Sequence, residues 1–234
     1  MARLLVPGAT PTDGCLALDG AALRHLRVLR LGPGDECTVL DGAGAEHRVR
    51  LEQVDTRSAV ARVLGTARPA RESPLDLVLA PALVKGDRMA LVVEKATELG
   101  VRRIAPVHTA RTVRDRIDAA RLRRVARAAA EQSGRPHVPV VDEPQPLAAV
   151  LATPWAGLRL LPWEDEHGVR LRDLPAAAAA IVAVTGPEGG FTADEVALAR
   201  TYGFTTMTLG PRILRAETAA ITAAALLQAR YGDG

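Results

Sequence analysis

The chain contains 234 residues, of which 48% are hydrophobic and 24% charged, and its formal net charge is +3. This length accommodates one large domain or two modest ones, and the composition excludes a disordered or fibrous protein. The two cysteines lack metal-ligand spacing, which predicts a reducing cytoplasm, and no apolar run is long enough to cross a membrane. The five histidines are scattered without ligand spacing, so the sequence predicts no metal.

The first 72 residues predict a small β-rich domain. Residues 37–40 and 47–51 flank an Asp-Gly-Ala-Gly turn at 41–44, which is the signal of a β-hairpin. Residues 58–64 supply a further alternating strand. Several short strands joined by glycine- and proline-bearing turns are typical of a small barrel.

Residues 67–74 contain two prolines and are the best candidate for a linker. After them, predicted strands at 75–80 and 102–107 alternate with a helix at about 88–99. Helix and strand patterns continue to alternate to the end of the chain. This alternation indicates an α/β domain with a largely parallel sheet.

Basic charge is concentrated between residues 101 and 136. This stretch carries ten arginines and three acids, a net +7, while the rest of the chain sums to −4. A helix predicted at about 118–133 has an arginine stripe opposite its apolar face. The stripe consists of Arg123, Arg124 and Arg127. Such a stripe is usually only a solvated face, but an excess without balancing acids favours contacts with RNA phosphates.

A strand–turn–helix unit begins at the apolar residues 181–184, which predict a short buried strand. The turn at 185–191 carries three glycines. Thr192 and Glu195 then form a capping box, which marks a helix start. Gly203 is expected at the left-handed position that ends this helix.

A second unit repeats the pattern, with a strand at 205–209, a turn at 210–215 and an alanine-rich helix at 216–231. Both turns are expected at the carboxyl edge of the parallel sheet, where open α/β folds bind their ligands. Glycine has two possible roles there, close approach of a ligand or turn geometry alone. The second turn also combines arginines with apolar residues, which favours a binding site.

Six segments resemble one known family. The two turns read GPEGGF at 186–191 and LGPRILRAETA at 209–219. The others are HLRVLR at 25–30, KGDRM at 85–89, EKATELGV at 94–101 and EQSGR at 131–135. Taken in chain order, the segments are similar to the ribosomal RNA small subunit methyltransferase E family of the SPOUT superfamily, and the resemblance extends over nearly the whole chain.

The resemblance implies a PUA-like β-barrel RNA-binding domain at 1–72 and an α/β SPOUT methyltransferase domain with a trefoil knot at 73–234. It also implies transfer of a methyl group from S-adenosyl-L-methionine to N3 of a uridine in 16S rRNA. The implied cofactor-binding residues are Leu161, Gly186, Glu188, Gly189, Gly190, Leu209, Gly210, Ile213 and Leu214. The implied partners are 16S rRNA or the small ribosomal subunit and a second copy of the chain, with the dimer burying the helix around Ile221 and Leu226.

The expected catalytic residues are Arg215 and Glu217. The N3 proton of uridine must leave during the reaction, so a base or a cation that stabilises the developing charge is required. Arg215 is expected against the uracil oxygens, with Glu217 orienting it. Glu217 also has a simpler role open to it, because a carboxylate is stabilised at a helix start.

In the first domain, Arg24, Arg27 and Arg30 together with His25 form a candidate RNA face. The same helix is also expected to pack Leu23, Leu26 and Leu29 on the barrel, which is compatible with RNA binding. The resemblance implies that the end of the strand at 158–162 borders the cofactor site, but the acids at 164–166 are interpreted as a surface loop. Two alternative functions remain open: a SPOUT methyltransferase acting on another RNA or atom, and a non-catalytic RNA-binding factor for ribosome assembly.

Overall fold

The computed structural model describes residues 2–69, 71–113 and 117–234. Contacts divide the chain into two units. The first comprises Met1–Glu72 and Arg127–Val138, and the second comprises Ser73–Ala126 and Pro139–Gly234. No helix among the described residues is long and apolar enough to span a membrane.

The first unit is built on a five-stranded sheet. Its strands and its helix are β1 (Arg3–Leu5), β2 (Cys15–Asp19), α1 (Gly20–Val28), β3 (Glu36–Leu40), β4 (Glu46–Val54) and β5 (Ser58–Ala67). The strand order is β1-β3-β4-β5-β2, and only the β1–β3 pair is parallel. Two register shifts between β4 and β5 bend this sheet into a half-barrel. The predicted hairpin is therefore present.

Alternating apolar residues of these strands face α1. Leu23 and Leu26 of α1 are buried with strand residues such as Leu16 and Val39. Leu29, however, is 40% exposed, because α1 ends at Val28. The predicted packing is thus right for two leucines and wrong for the third.

The second unit contains the remaining elements. In chain order they are β6 (Asp76–Pro81), α2 (Arg88–Glu98), β7 (Arg103–Ile104), β8 (Val107–His108), α3 (Ala119–Ser133), β9 (Val140–Val141), β10 (Gln145–Pro146), α4 (Leu147–Ala152), β11 (Leu158–Pro162), β12 (Ala180–Thr185), α5 (Ala193–Thr201), β13 (Thr205–Met207) and α6 (Ala216–Tyr231). A short 3₁₀ turn covers Leu171–Asp173. The last residues of α3 belong to the first unit.

Six of these strands form one sheet in the order β13-β11-β12-β6-β7-β9, with every neighbouring pair parallel. The predicted parallel α/β domain is confirmed. The central strands β6 and β12 are apolar along most of their length because they lie inside the sheet. Strands β8 and β10 pair separately.

One predicted strand differs in the structure. Residues 102–107 were expected to form a continuous strand, but β7 ends at Ile104, and Val107 begins β8 in the two-stranded sheet. Pro106 lies between the two, and its nitrogen carries no hydrogen for the sheet ladder. The chain therefore leaves the main sheet there.

Candidate active site

A cavity lies at the carboxyl ends of three neighbouring strands, β12, β11 and β13. Its walls are the first turn (residues 185–191), the β11 loop (residues 163–170) and the second turn (residues 208–215), with the start of α6. Seven of the nine predicted cofactor residues line it, namely Gly186, Glu188, Gly190, Leu209, Gly210, Ile213 and Leu214. The two glycine turns thus meet at one site.

Leu161 and Gly189 occupy other places in the structure. Leu161 is fully buried in the hydrophobic core of the second unit. The carbonyl oxygen of Gly189 accepts a hydrogen bond of 2.6 Å from Nη1 of Arg111, and a Cβ at this glycine would meet the Arg111 side chain at 3.3 Å. Neither residue is among those that line the cavity.

The first turn needs glycine at Gly190 for two reasons. Its φ is +69°, in the left-handed region that favours glycine. A Cβ there would also lie 1.8 Å from Oε1 of Glu164, so the carboxylate of the β11 loop packs directly on the turn backbone. The left-handed φ explains this glycine, and the absence of a side chain lets the Glu164 carboxylate lie against the first turn.

Helix α5 holds the far end of the first turn. The Thr192 hydroxyl accepts a hydrogen bond from the Glu195 N–H, and the Glu195 carboxylate accepts one from the Thr192 N–H at 2.8 Å. The other oxygen of Glu195 accepts from the Ala110 N–H at 2.7 Å. The predicted capping box is confirmed, and Gly203 follows α5 at φ +78° as predicted.

The second turn is exposed. Ile213 is 89% exposed, and both Arg212 and Arg215 are exposed without an ion pair or side-chain hydrogen bond among the described residues. Arg215 is the N-cap of α6, and its backbone leads directly into that helix. Arg215 is not among the residues that line the cavity, although its neighbours Leu214 and Ala216 are.

The resemblance placed the end of β11 beside the cofactor site, but the sequence interpretation did not assign the following loop to it. Trp163, Glu164 and His167 line the cavity, whereas the acids were interpreted as part of a surface loop. The loop joins the site because β11 lies between β12 and β13 in the sheet. The order of parallel strands leaves no mark in the local sequence, so only the glycine turns could be found from their composition.

Glu166 attaches the β11 loop to β13. One carboxylate oxygen accepts from the Thr206 hydroxyl at 2.6 Å, and the other accepts from the Gly168 N–H at 2.8 Å. These bonds, the one from Thr206 above all, lower the pKa of Glu166 below its ordinary value. The carboxylate is therefore charged at neutral pH and stabilises the loop.

Glu217 lies in a buried position next to α2. It is 8% exposed, and its Oε1 lies 3.7 Å from Nε of Arg88. Among the described residues, its charged partner is thus Arg88 and not the predicted Arg215. Arg88 also approaches Oε1 of Glu188 at 3.4 Å, and the Lys85 N–H donates to the same oxygen at 3.2 Å.

The predicted RNA-binding arginines are exposed, but several have partners within the protein. Arg123 donates to the Val141 carbonyl and to Glu143, each at 2.9 Å, and Arg27 donates to the Thr56 carbonyl at 2.6 Å. Arg124 pairs with Asp118 at 3.6 Å, and Arg127 donates to the Leu5 carbonyl at 3.3 Å. Arg24 and Arg30 have no such partner among the described residues.

Distant acids balance part of the basic stretch. Arg103 pairs with Asp142 at 2.7 Å, Arg121 with Asp87 at 2.7 Å, and Arg135 with Glu72 at 2.6 Å. The premise of an excess without balancing acids is therefore wrong for these arginines. Arg114, Asp115 and Arg116 of the same stretch lie outside the described residues.

The described residues contain no group of three or more His, Cys, Asp or Glu side chains that could hold a metal ion. Cys37 is buried, and burial together with the charge of Asp35 raises the pKa of its thiol to about 11. A thiol with this pKa is protonated at neutral pH, which makes it a poor nucleophile.

Comparison with known proteins identifies the same two parts of the chain. An RNA methyltransferase domain model matches residues 71–228, and an RNA methyltransferase PUA domain model matches residues 18–64. The chain is 35% identical to ribosomal RNA small subunit methyltransferase E from Synechocystis sp., with 97% of this chain and 77% of that protein covered.

Two solved structures are also similar to this chain over nearly its whole length. Ribosomal RNA small subunit methyltransferase E from Neisseria gonorrhoeae, bound to S-adenosyl methionine, is 34% identical with a TM-score of 0.91, covering 100% of this chain and 99% of that one. A putative methyltransferase from Legionella pneumophila in complex with the same cofactor is 34% identical with a TM-score of 0.90, covering 99% and 98%. The chain thus pairs an N-terminal PUA-like domain with a SPOUT α/β domain, and it belongs to the ribosomal RNA small subunit methyltransferase E family.

Proposed function

We propose that this protein transfers a methyl group from S-adenosylmethionine to N3 of a uridine in 16S rRNA. The observation that carries the proposal is the cavity at the carboxyl ends of β11, β12 and β13, where both glycine turns meet. Family membership supports the substrate class, since the curated relatives are named as small subunit rRNA methyltransferases.

The residues of the cavity fit an adenosyl cofactor. Trp163 and Ile213 offer apolar surface, and Glu164 offers a carboxylate that can accept hydrogen bonds from hydroxyl or amino groups. That carboxylate lies against the backbone of Gly190, in the place that a Cβ would take. We expect the predicted residues that line the cavity to hold the cofactor, and the chain around them to form the trefoil knot of the family.

S-adenosylmethionine supplies an electrophilic methyl group when it is bound. The protein has to orient the uracil and to stabilise the charge that develops as the N3 proton leaves. Arg215 has an exposed guanidinium without a partner among the described residues, so it is available to the uracil oxygens. Glu217 is also part of this proposal. Because Glu217 contacts Arg88, we propose that it orients Arg215 through the start of α6 and not by direct pairing.

The two groups of predicted RNA-binding arginines are expected to contribute unequally to RNA binding. The PUA-like domain at 1–72 offers Arg24 and Arg30 with exposed guanidinium groups, and Arg27 beside them. On α3, Arg123, Arg124 and Arg127 would have to exchange contacts within the protein for phosphates. We therefore propose that Arg24 and Arg30 make the larger contribution.

The active form is proposed to be a cytoplasmic homodimer. The side chains of Ile221 and Leu226 on α6 remain partly exposed, and Ala225 beside them permits close approach of another backbone. Burial of such a face by a second copy would resemble the interface expected for the family. Light scattering at micromolar concentration tests this state, and a monomer there would count against it.

Methylation of rRNA tests the function directly. Small ribosomal subunits and naked 16S rRNA from a strain lacking the enzyme are incubated with the protein and S-adenosylmethionine, and nucleosides are then analysed by mass spectrometry. We expect 3-methyluridine to appear in one of the two substrates. Another methylated nucleoside would favour a SPOUT enzyme with a different target, and RNA binding without any methylation would favour an assembly factor.

A further inference from the structure

Arg88 occupies a position that helix stability does not explain. It is the first residue of α2, which has no acidic residue in its first turn. The positive end of the helix dipole lies there and disfavours a cation. The Arg88 side chain is 43% exposed, so it is not needed to fill the core either. A different interaction must account for it.

The guanidinium of Arg88 contacts one carboxylate in the first turn and another at the start of α6. Its Nη1 lies 3.4 Å from Oε1 of Glu188 in the first turn. Its Nε lies 3.7 Å from Oε1 of Glu217, two residues after Arg215. These turns follow β12 and β13, which are not neighbours in the sheet. One side chain thus connects the first turn to the start of α6, the helix that follows the second turn.

Glu217 depends on Arg88 more than Glu188 does. Glu188 is exposed and also accepts a hydrogen bond from the Lys85 N–H. Glu217 is buried, and within the described part of the chain its Oε2 has no hydrogen-bond partner. A buried carboxylate that loses its only nearby cation is strongly unfavourable. The position of Glu217, and with it the start of α6, is therefore sensitive to Arg88.

We propose that Arg88 is a positioning residue for methyl transfer, which holds Glu188 and Glu217 so that the two turns keep the spacing required by the cofactor. This inference rests on the proposed function of the cavity. The distances of 3.4 Å to Glu188 and 3.7 Å to Glu217 are those of ion pairs, longer than a strong hydrogen bond.

The test begins with Arg88→Ala and Arg88→Lys. Calorimetry measures S-adenosylmethionine affinity, and single-turnover assays with saturating RNA and cofactor measure the rate. We expect Arg88→Ala to lose about 10-fold in affinity and up to about 100-fold in rate, since small misplacements are costly. Arg88→Lys should recover part of both, because it restores the charge without the planar fork that reaches two carboxylates.

A second substitution separates positioning from general destabilisation. Glu217→Gln introduced into Arg88→Ala removes the uncompensated buried charge and should restore part of the lost affinity. Arg121→Ala is the matched control, because Arg121 pairs with Asp87 next to Arg88 but contacts neither turn. It should leave cofactor affinity within about twofold of the wild type.

The inference is overturned if Arg88→Ala binds cofactor and transfers methyl at wild-type levels, or if Glu217→Gln restores nothing in that background. Both outcomes presuppose a wild-type protein that binds S-adenosylmethionine and methylates rRNA. Failure of the wild type in these assays would instead overturn the proposed function, so the two failures are distinguishable.

Discussion

The first and second turns carry similar glycine motifs but differ in how the protein holds them. In the first turn, Glu188 is contacted by Lys85 and Arg88, the Gly189 carbonyl by Arg111, and the Gly190 backbone by Glu164. In the second turn, Arg212, Ile213 and Arg215 extend into solvent. The first turn is therefore a preformed wall, whereas the second keeps its side chains available for a substrate.

The largest effect is expected from Arg215→Ala in the second turn. If Arg215 stabilises charge on the uracil oxygens, its loss should lower the single-turnover rate about 100-fold or more. Cofactor affinity and melting temperature should stay near the wild type, because the guanidinium has no partner among the described residues. Parallel losses of rate, cofactor affinity and thermal stability would mean instead that Arg215 only shapes the turn.

A smaller effect is expected from Gly190→Ala in the first turn. The new Cβ would take a left-handed φ and push the Glu164 carboxylate away from the first turn, so cofactor affinity should fall about 10-fold and thermal stability should fall with it. Gly203→Ala is the control outside the cavity, since its φ of +78° is similar to that of Gly190 but its Cβ meets nothing within 4 Å. Calorimetry and thermal melts compare the two variants, and equal affinity losses would mean that the contact between Glu164 and the first turn has no role in cofactor binding.

The arginines also differ in whether their side chains already have partners within the protein. Arg24→Ala should reduce the slope of log affinity against log salt for RNA by about one unit or less, as for one lost phosphate contact. Arg123→Ala should change the slope less, because Arg123 is already bonded to Val141 and Glu143. Filter binding across a salt series measures both, and a larger effect of Arg123 would reverse this assignment.

The smallest effect concerns Glu166, which attaches the β11 loop between the two turns. Its pKa is lowered in the folded protein, so its stabilising contribution is complete above the ordinary glutamate pKa and disappears as the pH falls through the lowered value. Glu166→Gln should therefore lower the melting temperature by a few degrees at pH 7. The difference should shrink below about pH 4. A difference that is constant with pH would assign the effect to packing.

Local sequence patterns predicted much of the fold. Alternation indicated the β-hairpin of the first unit, and the capping box at Thr192 and Glu195 located the start of α5. Composition also identified the two turns, because glycine beside charged and apolar residues is a local property. The bounds of α6 were predicted as Ala216–Tyr231 and are confirmed.

Long-range features could not be predicted in the same way. The insertion of β11 between β12 and β13 brings Trp163 and Glu164 into the site, and strand order is not encoded in any short segment. The pairing of Glu217 with Arg88 joins residues 129 positions apart. Charge counted along the chain likewise missed the distant acids that partner the arginines, because ion pairs follow proximity in space.

The exposure of Ile213 has a consequence for the temperature dependence of binding. An isoleucine that is 89% exposed contributes about 1.5–3 kcal/mol when a partner covers it completely. Covering apolar surface lowers the heat capacity, so the enthalpy of association becomes more negative as the temperature rises. Titrations at several temperatures should therefore give a steeper enthalpy slope for the wild type than for Ile213→Ala with whichever ligand, cofactor or RNA, covers this side chain.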